Sequence, residues 1–240
     1  MIDLMGLVEG LDFGSCRVLL LGDLVLDRSI FGTTRRVSRE APIPVVQYAS
    51  EEAAPGGAAN VAANLASLGA QVSVAGVVGD DQRGEELLDC LRGLGADTSL
   101  TRSVSNHPTT VKTRVFAGGV GTVRQQVLRL DHEPLSVPDP ALLQALACDV
   151  YEAASDYDAV ILSDYGYGAV DEHLCQRIKG VPVVVDSRMQ LRQFIGAHTL
   201  KPNLSELEHI AGRDLLTAAD IAQAAKTLRE QSQAGAVLVT

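Results

Sequence analysis

Four short apolar runs each end on residues able to hold a polar ligand. Val18–Leu21 leads into Gly22-Asp23, Ala159–Ser163 into Asp164, Val183–Val185 into Asp186, and Thr199-Leu200-Lys201-Pro202 into Asn203-Leu204-Ser205-Glu206. If the runs are parallel strands, their C-terminal ends share one sheet edge, the edge at which open α/β folds bind ligands. Each residue alone is equally well explained as a loop opener or helix cap; the set of four is better explained by a ligand cleft. A second group is Pro55-Gly56-Gly57-Ala58-Ala59-Asn60. Gly56 and Gly57 present no Cβ, so a ligand can approach the backbone closely. Asn60 and Asn64 fall on one face of a small-residue helix, where amides can donate to and accept from hydroxyl groups. The plainer alternative is a glycine turn with a capping or buried asparagine. A third group, Gly76-Val-Val-Gly79-Asp-Asp81-Gln-Arg-Gly84, is a glycine-punctuated turn leaving an apolar strand.

The elements that must position these residues follow from periodicity. Continuous apolar runs at Val18–Leu21, Val72–Val78, Ala159–Ser163, Pro182–Val185 and Ala236–Thr240 read as strands buried on both faces, and a short strand precedes Asn203. Helices are predicted at Ala58–Leu68 (stopped by Gly69), Gly84–Leu94 (stopped by Gly95), Pro140–Ser155, Leu204–Ala211 and Ala218–Gln231, with a weaker one at Asp171–Ile178. Alternating β and α segments predict a mostly parallel sheet with helices on both faces. Arg36–Tyr48, with two prolines among its apolar residues, suits an exposed or edge strand. Thr110–Phe116 and Val123–Leu130, joined by Gly118-Gly119-Val120-Gly121, read as a hairpin that could form a small separate sheet with it.

The 240 residues fit one large α/β domain. A formal net charge of −10 argues against general nucleic-acid binding but leaves room for a local basic pocket. No apolar run is long enough to span a bilayer, and the N-terminus shows no export signal, so neither a membrane nor a secretory role is expected. Cys16, Cys90, Cys148 and Cys175 are widely spaced, which fits reduced thiols and a cytoplasmic protein. Gly-x-x-x-x-Gly-Lys-Ser/Thr is absent, as is Gly-x-Gly-x-x-Gly after the first strand.

Together these strings resemble the ribokinase-like (PfkB) carbohydrate kinases over nearly the whole chain. Gly22-Asp23-x-x-x-Asp27 resembles the first-strand motif whose last aspartate binds sugar hydroxyls. Pro55–Asn60 through Gly84 resembles the N-terminal signature, and Asn203-x-x-Glu206 resembles the motif associated with ATP phosphates and Mg²⁺. Within the family the likeness is greatest to the kinase domains of heptose 7-phosphate kinase/ADP-heptose synthase proteins. It is carried by Gly22–Arg28, Arg36–Val46, Pro55–Ala62, Leu162–Tyr165 and Pro202–Glu206. Two departures are Tyr167-Gly168 where Lys-Gly is expected and Asp186-Ser187-Arg188 where Asp-Pro-Lys is expected.

The resemblance implies ATP- and Mg²⁺-dependent phosphorylation of the anomeric hydroxyl of a heptose 7-phosphate, a lipopolysaccharide precursor. Asp27, Gly56, Gly57 and Asn60 would hold the sugar. Asn203, Leu204, Ser205, Glu206, Asp164 and Asp186 would serve the nucleotide, with Glu206 acting toward the metal. Segments of about 33–48 and 108–131 would form a β lid that also pairs protomers into a homodimer. Arg35, Arg36, Arg39, Lys112 and Arg114 are candidates for the sugar's distal phosphate, against the alternative of solvated surface charge. The family's Asp-Thr-x-Gly-Ala-Gly-Asp segment, which carries the catalytic base, has no counterpart before Thr240. The domain is therefore expected to be C-terminally truncated, with no catalytic base of its own and inactive alone. A kinase for ribose or fructose, and a non-catalytic short form that binds sugar or a partner, are the alternatives.

Overall fold

The computed structural model describes residues 12–119, 122–188 and 190–240. Among them the order is β1 (Arg17–Gly22), β2 (Leu24–Val37), β3 (Pro44–Gly57), α1 (Ala58–Ser67), β4 (Gln71–Gly79), α2 (Gln82–Gly93), β5 (Thr101–Val104), β6 (Val111–Gly118), β7 (Gln125–His132), α3 (Pro140–Ala153), β8 (Ala159–Asp164), α4 (Leu174–Arg177), β9 (Val183–Ser187), β10 (Thr199–Leu200), α5 (Leu204–Ala211), α6 (Ala218–Ser232) and β11 (Ala236–Val237).

The main sheet has the strand order β11-β10-β9-β8-β1-β4-β5, and its pairings are all parallel. β1 is the apolar run Val18–Leu21, and its alternating side chains enter two different cores. Leu19 and Leu21 pack with Leu146 and Val150 of α3 and Leu162 of β8. Leu20 packs with Ala58 and Ala62 of α1 and Leu87 and Leu91 of α2. The three leucines of β1 are fully buried, each worth about 1.5–3 kcal/mol relative to exposure. The two cores show why a continuous apolar strand marks a sheet covered by helices on both faces. β1 pairs with β4 on one side and β8 on the other, so the chain reverses its direction of travel at β1. A crevice forms at such a point beyond the strand ends.

The second sheet has the order β3-β2-β6-β7, with β2 and β6 parallel and the outer pairs antiparallel. It is larger than the expected segments of about 33–48 and 108–131, because β2 begins at Leu24 and β3 runs to Gly57. Pro55-Gly56-Gly57 is therefore the end of a long strand, paired with Leu24–Leu26, and not a free turn. Local pattern hides this because β3 is exposed along most of its length and lacks apolar alternation.

Smaller differences have similar causes. The weak helix at Asp171–Ile178 contracts to Leu174–Arg177, and the last apolar run is a strand only at Ala236–Val237. β5 was not legible; its four residues, Thr-Arg-Ser-Val, carry little pattern. The expected hairpin forms with β7 displaced to Gln125–His132. Val120 and Gly121 of its glycine-rich turn, and the N-terminal segment 1–11 read for an export signal, lie outside the described residues.

Candidate active site

The end of β1 carries the first polar residue of the crevice, Asp23, which is 2% exposed. Its Oδ2 accepts hydrogen bonds from the backbone N–H groups of Tyr165 (2.7 Å) and Tyr167 (3.0 Å), and its Oδ1 from Ala169 (3.0 Å). Burial raises the carboxyl's pKa above the ordinary aspartate value, despite these three donors. Asp23 is thus a clamp on the loop after β8.

One strand further, Asp27 sits on β2 at the register position of Lys112 on β6, and its Oδ1 accepts a 2.8 Å hydrogen bond from Arg114. Asp27 stands against Gly56, where a Cβ would lie 2.7 Å from the carboxylate. Gly57 has φ 54° and a Cβ there would lie 2.7 Å from the Asp23 carbonyl oxygen. Glycine is required at both places, at 57 for the left-handed backbone and at 56 to admit the Asp27 side chain. Gly57 caps α1, so Asn60 lies in its first turn, exposed. Asn64 Nδ2 donates to the Asn60 carbonyl at 2.9 Å.

The four strand-end residues converge only in part. Asp164, Asp186, Asn203 and Glu206 line one cavity of about 290 Å³, joined there by Lys112, Tyr165, Arg188 and Lys201. Asp23 lies apart, in its clamp. Asn203 and Glu206 form a reciprocal capping box at the start of α5: Asn203 Oδ1 accepts from the Glu206 N–H (2.8 Å) and Glu206 Oε2 from the Asn203 N–H (2.9 Å). Leu204 and Ser205 occupy that first turn, and the Leu204 N–H donates to the Thr240 carbonyl (3.1 Å). Asp164 accepts from the Gly166 N–H (2.9 Å) and the Ser187 hydroxyl (2.6 Å), tying β8 to β9. Asp186 pairs with Lys201 at 3.0 Å.

The donor set fits a hydrated magnesium ion better than a bare one. Among the described residues no three carboxylate, His or Cys groups cluster to hold an ion directly. Three carboxylates around a cavity with three cations suit a metal that arrives with phosphates and keeps its water.

Lys112 was expected in the basic group, and the structure brings it to this cavity. Its ammonium lies 5.8 Å from the centre of the Tyr165 ring and 5.6 Å from that of Tyr167. Burial, then the nearby Arg129 guanidinium, lowers its pKa. Arg36 is elsewhere, exposed near the far end of β2 opposite Val45. Nine residues of strand separate it from Asp27, about 30 Å. Sequence reasoning missed Lys201 and Tyr165 as cavity residues, although both stand within the strings Thr199–Pro202 and Leu162–Tyr165.

The turn from Gly76 to Gly84 proves to be a brace. Asp81 accepts from the Gly84 N–H (2.8 Å), the Thr109 N–H (2.9 Å) and the Thr109 hydroxyl (2.7 Å), while the Gly79 N–H donates to Thr109 Oγ1 (2.9 Å). Burial works against the Asp81 carboxylate, but these hydrogen bonds outweigh it and lower its pKa. The brace fixes the segment that enters β6 and so the placement of Lys112. A larger cavity, of about 980 Å³, lies on the other side of β2, with Arg28, Glu51 and Glu86 in its wall. It contains none of the residues expected to bind ligand.

The profile of the pfkB family carbohydrate kinases matches residues 18–240. Bifunctional protein HldE of Pseudomonas savastanoi pv. phaseolicola is 41% identical over 233 residues, 95% of this chain and 47% of the relative. That of Methylobacillus flagellatus is 41% identical over 217 residues, 85% of this chain and 43% of the relative. The chain thus spans about half the length of these curated relatives. Among solved structures, the tetrameric inhibited form of phosphofructokinase-2 from Escherichia coli superposes with a TM-score of 0.70 at 19% identity, covering 93% of this chain and 73% of that one. Arabidopsis thaliana ribokinase, complexed with ribose and ATP, gives 0.69 at 20% identity, covering 93% and 71%. These two establish the likeness of fold.

Proposed function

The chain belongs to the pfkB family of carbohydrate kinases, and from that premise we propose that it is the kinase portion of an ATP- and Mg²⁺-dependent enzyme phosphorylating the anomeric hydroxyl of a heptose 7-phosphate. The observation that carries the reading is the adjacency of two half-sites through one pair of strands. Asp27 on β2 stands beside Gly56, and its register partner Lys112 on β6 reaches the cavity of Asn203 and Glu206. The heptose assignment is supported by the identity of about 40% to HldE proteins and by the strings shared with heptose kinase domains.

In this reading Asp27 accepts from sugar hydroxyls, and the open backbone at Gly56-Gly57 with the Asn60 amide completes the sugar's seat. Seating both substrates makes transfer effectively unimolecular. Asn203, Leu204, Ser205 and Glu206 present the start of α5 to the nucleotide phosphates, since helix N-termini favour anions. Asp164, Asp186 and Glu206 hold the waters of the magnesium ion, which itself supplies charge neutralisation on the phosphates. The second sheet closes over the sugar as a lid and excludes water that would otherwise hydrolyse ATP. Arg36 serves the sugar's distal phosphate only if another chain brings it near a seat. The exposed Tyr48, Leu128 and Leu130 of the same sheet supply an apolar surface for a homodimer. A cytoplasmic location goes with this chemistry, and among the described residues no helix is long and apolar enough to cross a membrane.

The test is phosphorylation, by the full-length protein of which this chain is the kinase portion, of a panel containing a heptose 7-phosphate, ribose, fructose and fructose 6-phosphate, with calorimetric binding of each sugar and of ATP measured alongside. Preference for the heptose phosphate is expected. Preference for ribose or fructose would move the assignment within the family. Binding of neither sugar nor ATP would defeat it.

A further inference from the structure

Among the described residues Lys112 is the lid side chain that lines this cavity, and its ammonium lies over the rings of Tyr165 and Tyr167 in the loop after β8, with Asp131, Asp27 and Glu133 near enough to act on its charge. The Tyr167 ring is held from two directions. Its backbone N–H is fixed to Asp23, and its hydroxyl donates to Glu133, which follows β7. Burial, then that hydrogen bond, raises the phenol well above the ordinary tyrosine range, so it remains a donor at neutral pH. The neighbouring segment is packed equally closely: a Cβ at Gly168 would lie 2.8 Å from Val137. Tyr167 thus joins the lid's exit at Glu133, the lid's cation at Lys112 and the loop clamped by Asp23.

We propose that Tyr167, anchored by Glu133 and assisted by Tyr165, is a positioning residue that holds the Lys112 ammonium over the phosphate cavity, where it meets the phosphates of the nucleotide rather than a phosphate on the sugar. The inference deepens the kinase reading and rests on it. The physical case is that an ammonium over two aromatic faces is favourably placed for a phosphate, while the carboxylates of Asp131, Asp27 and Glu133 act on it only from a distance. The same residues give the lid a means of sensing the nucleotide. Lys112 can contact a phosphate only when β6 lies against the 165–169 loop, and Glu133–Tyr167 is the bond that keeps it there.

The experiment is a double-mutant cycle of Tyr167→Leu and Lys112→Met in the full-length protein, read by calorimetric binding of ATP and of adenosine, with kcat and KM for a phosphorylated and an unphosphorylated sugar. Lys112→Met should weaken ATP but not adenosine, and lower kcat on both sugars alike. Tyr167→Leu should weaken ATP by about 3- to 30-fold, the range of one cation–π contact. It should have no further effect once Lys112 is Met. Tyr167→Phe, which keeps the ring but loses the hydroxyl bonded to Glu133, should bind ATP with an affinity between those of wild type and Tyr167→Leu, and it controls for misfolding. The chain contains no tryptophan, so tyrosine emission also reports the cradle directly and should change when ATP binds. The proposal is overturned if the two variants are additive, if ATP binds Lys112→Met as it binds the wild type, or if Lys112→Met raises KM only for the phosphorylated sugar. Wild-type protein that binds no ATP would overturn the kinase reading and this proposal with it. ATP binding unchanged by Lys112→Met would overturn only the proposal.

Discussion

Asp23 and Tyr167, 144 residues apart in the chain, are joined by a 3.0 Å hydrogen bond from the Tyr167 backbone N–H to the Asp23 carboxylate. With the Tyr165 and Ala169 N–H groups on the same carboxylate, it fixes the loop after β8 to the end of β1, at the reversal point of the main sheet.

Asp23→Asn should destabilise the fold although it removes a buried charge. One amide oxygen cannot serve three N–H donors, and each buried donor left unpaired costs about 1–3 kcal/mol. The sign of the pH dependence follows from the raised pKa. The folded state holds its proton more tightly than the unfolded chain, so this group's contribution is most favourable below the unfolded value of 3.8. It declines as pH rises toward the folded value. Urea melts of wild type and Asp23→Asn between pH 3 and 7 should show lower stability in the variant and a gap that widens toward acid.

Asp81 has the opposite sign. Its pKa is lowered, so its stabilisation is present above the unfolded value of 3.8 and disappears as pH falls through the folded value. Asp81→Asn should flatten the acid limb of the stability curve. Thr109→Val should cost about 1–3 kcal/mol by stranding the Gly79 N–H. An acid limb unchanged in Asp81→Asn would rule out the brace as its source.

Gly56→Ala should leave the fold largely intact and damage the sugar seat, because the added Cβ would stand 2.7 Å from the Asp27 carboxylate. Displacement of about 1 Å at a reacting centre can cost up to about 100-fold in rate. Calorimetric sugar affinity should fall while ATP affinity stays the same. Equal losses for both ligands would point to a general disruption.

Glu206→Gln separates capping from chemistry. Glutamine completes a capping box as well as glutamate does, so the melting temperature should hardly change. Loss of the negative charge should nevertheless weaken the magnesium dependence of ATP binding. Asn203→Ala should instead cost about 1 kcal/mol of stability, the usual value of an N-cap. A Glu206→Gln protein with unaltered magnesium dependence would assign the motif to helix capping alone.

Leu130→Asp, on the exposed face of the lid sheet, should dissociate a lid-paired dimer without altering the monomer's melting. Sedimentation of both proteins checks it, and a wild-type monomer at high concentration would remove the lid dimer from consideration.

The sequence by itself determined the layered α/β fold, because continuous apolar strands such as Val18–Leu21 are stable only between two helix layers. It also determined the order of the glycine and asparagine strings from which the kinase family is recognised. Their local geometry was legible where partners are close in sequence, as in the Asn203–Glu206 capping box. Which polar residues share a space was decided by the tertiary structure. Asp23 and Asp164 look alike as strand-end aspartates, yet one accepts from three backbone amides and the other lines the cavity of Asn203 and Glu206. Arg36 and Lys112 look alike as basic residues of the second sheet, yet Lys112 is the register partner of Asp27 and lines the cavity of Asn203 and Glu206, while about 30 Å of strand parts Arg36 from Asp27. Pairing of β2 with β6 brings residues 27 and 112 side by side, and hydrogen bonds between strands so distant in sequence leave no trace in local pattern.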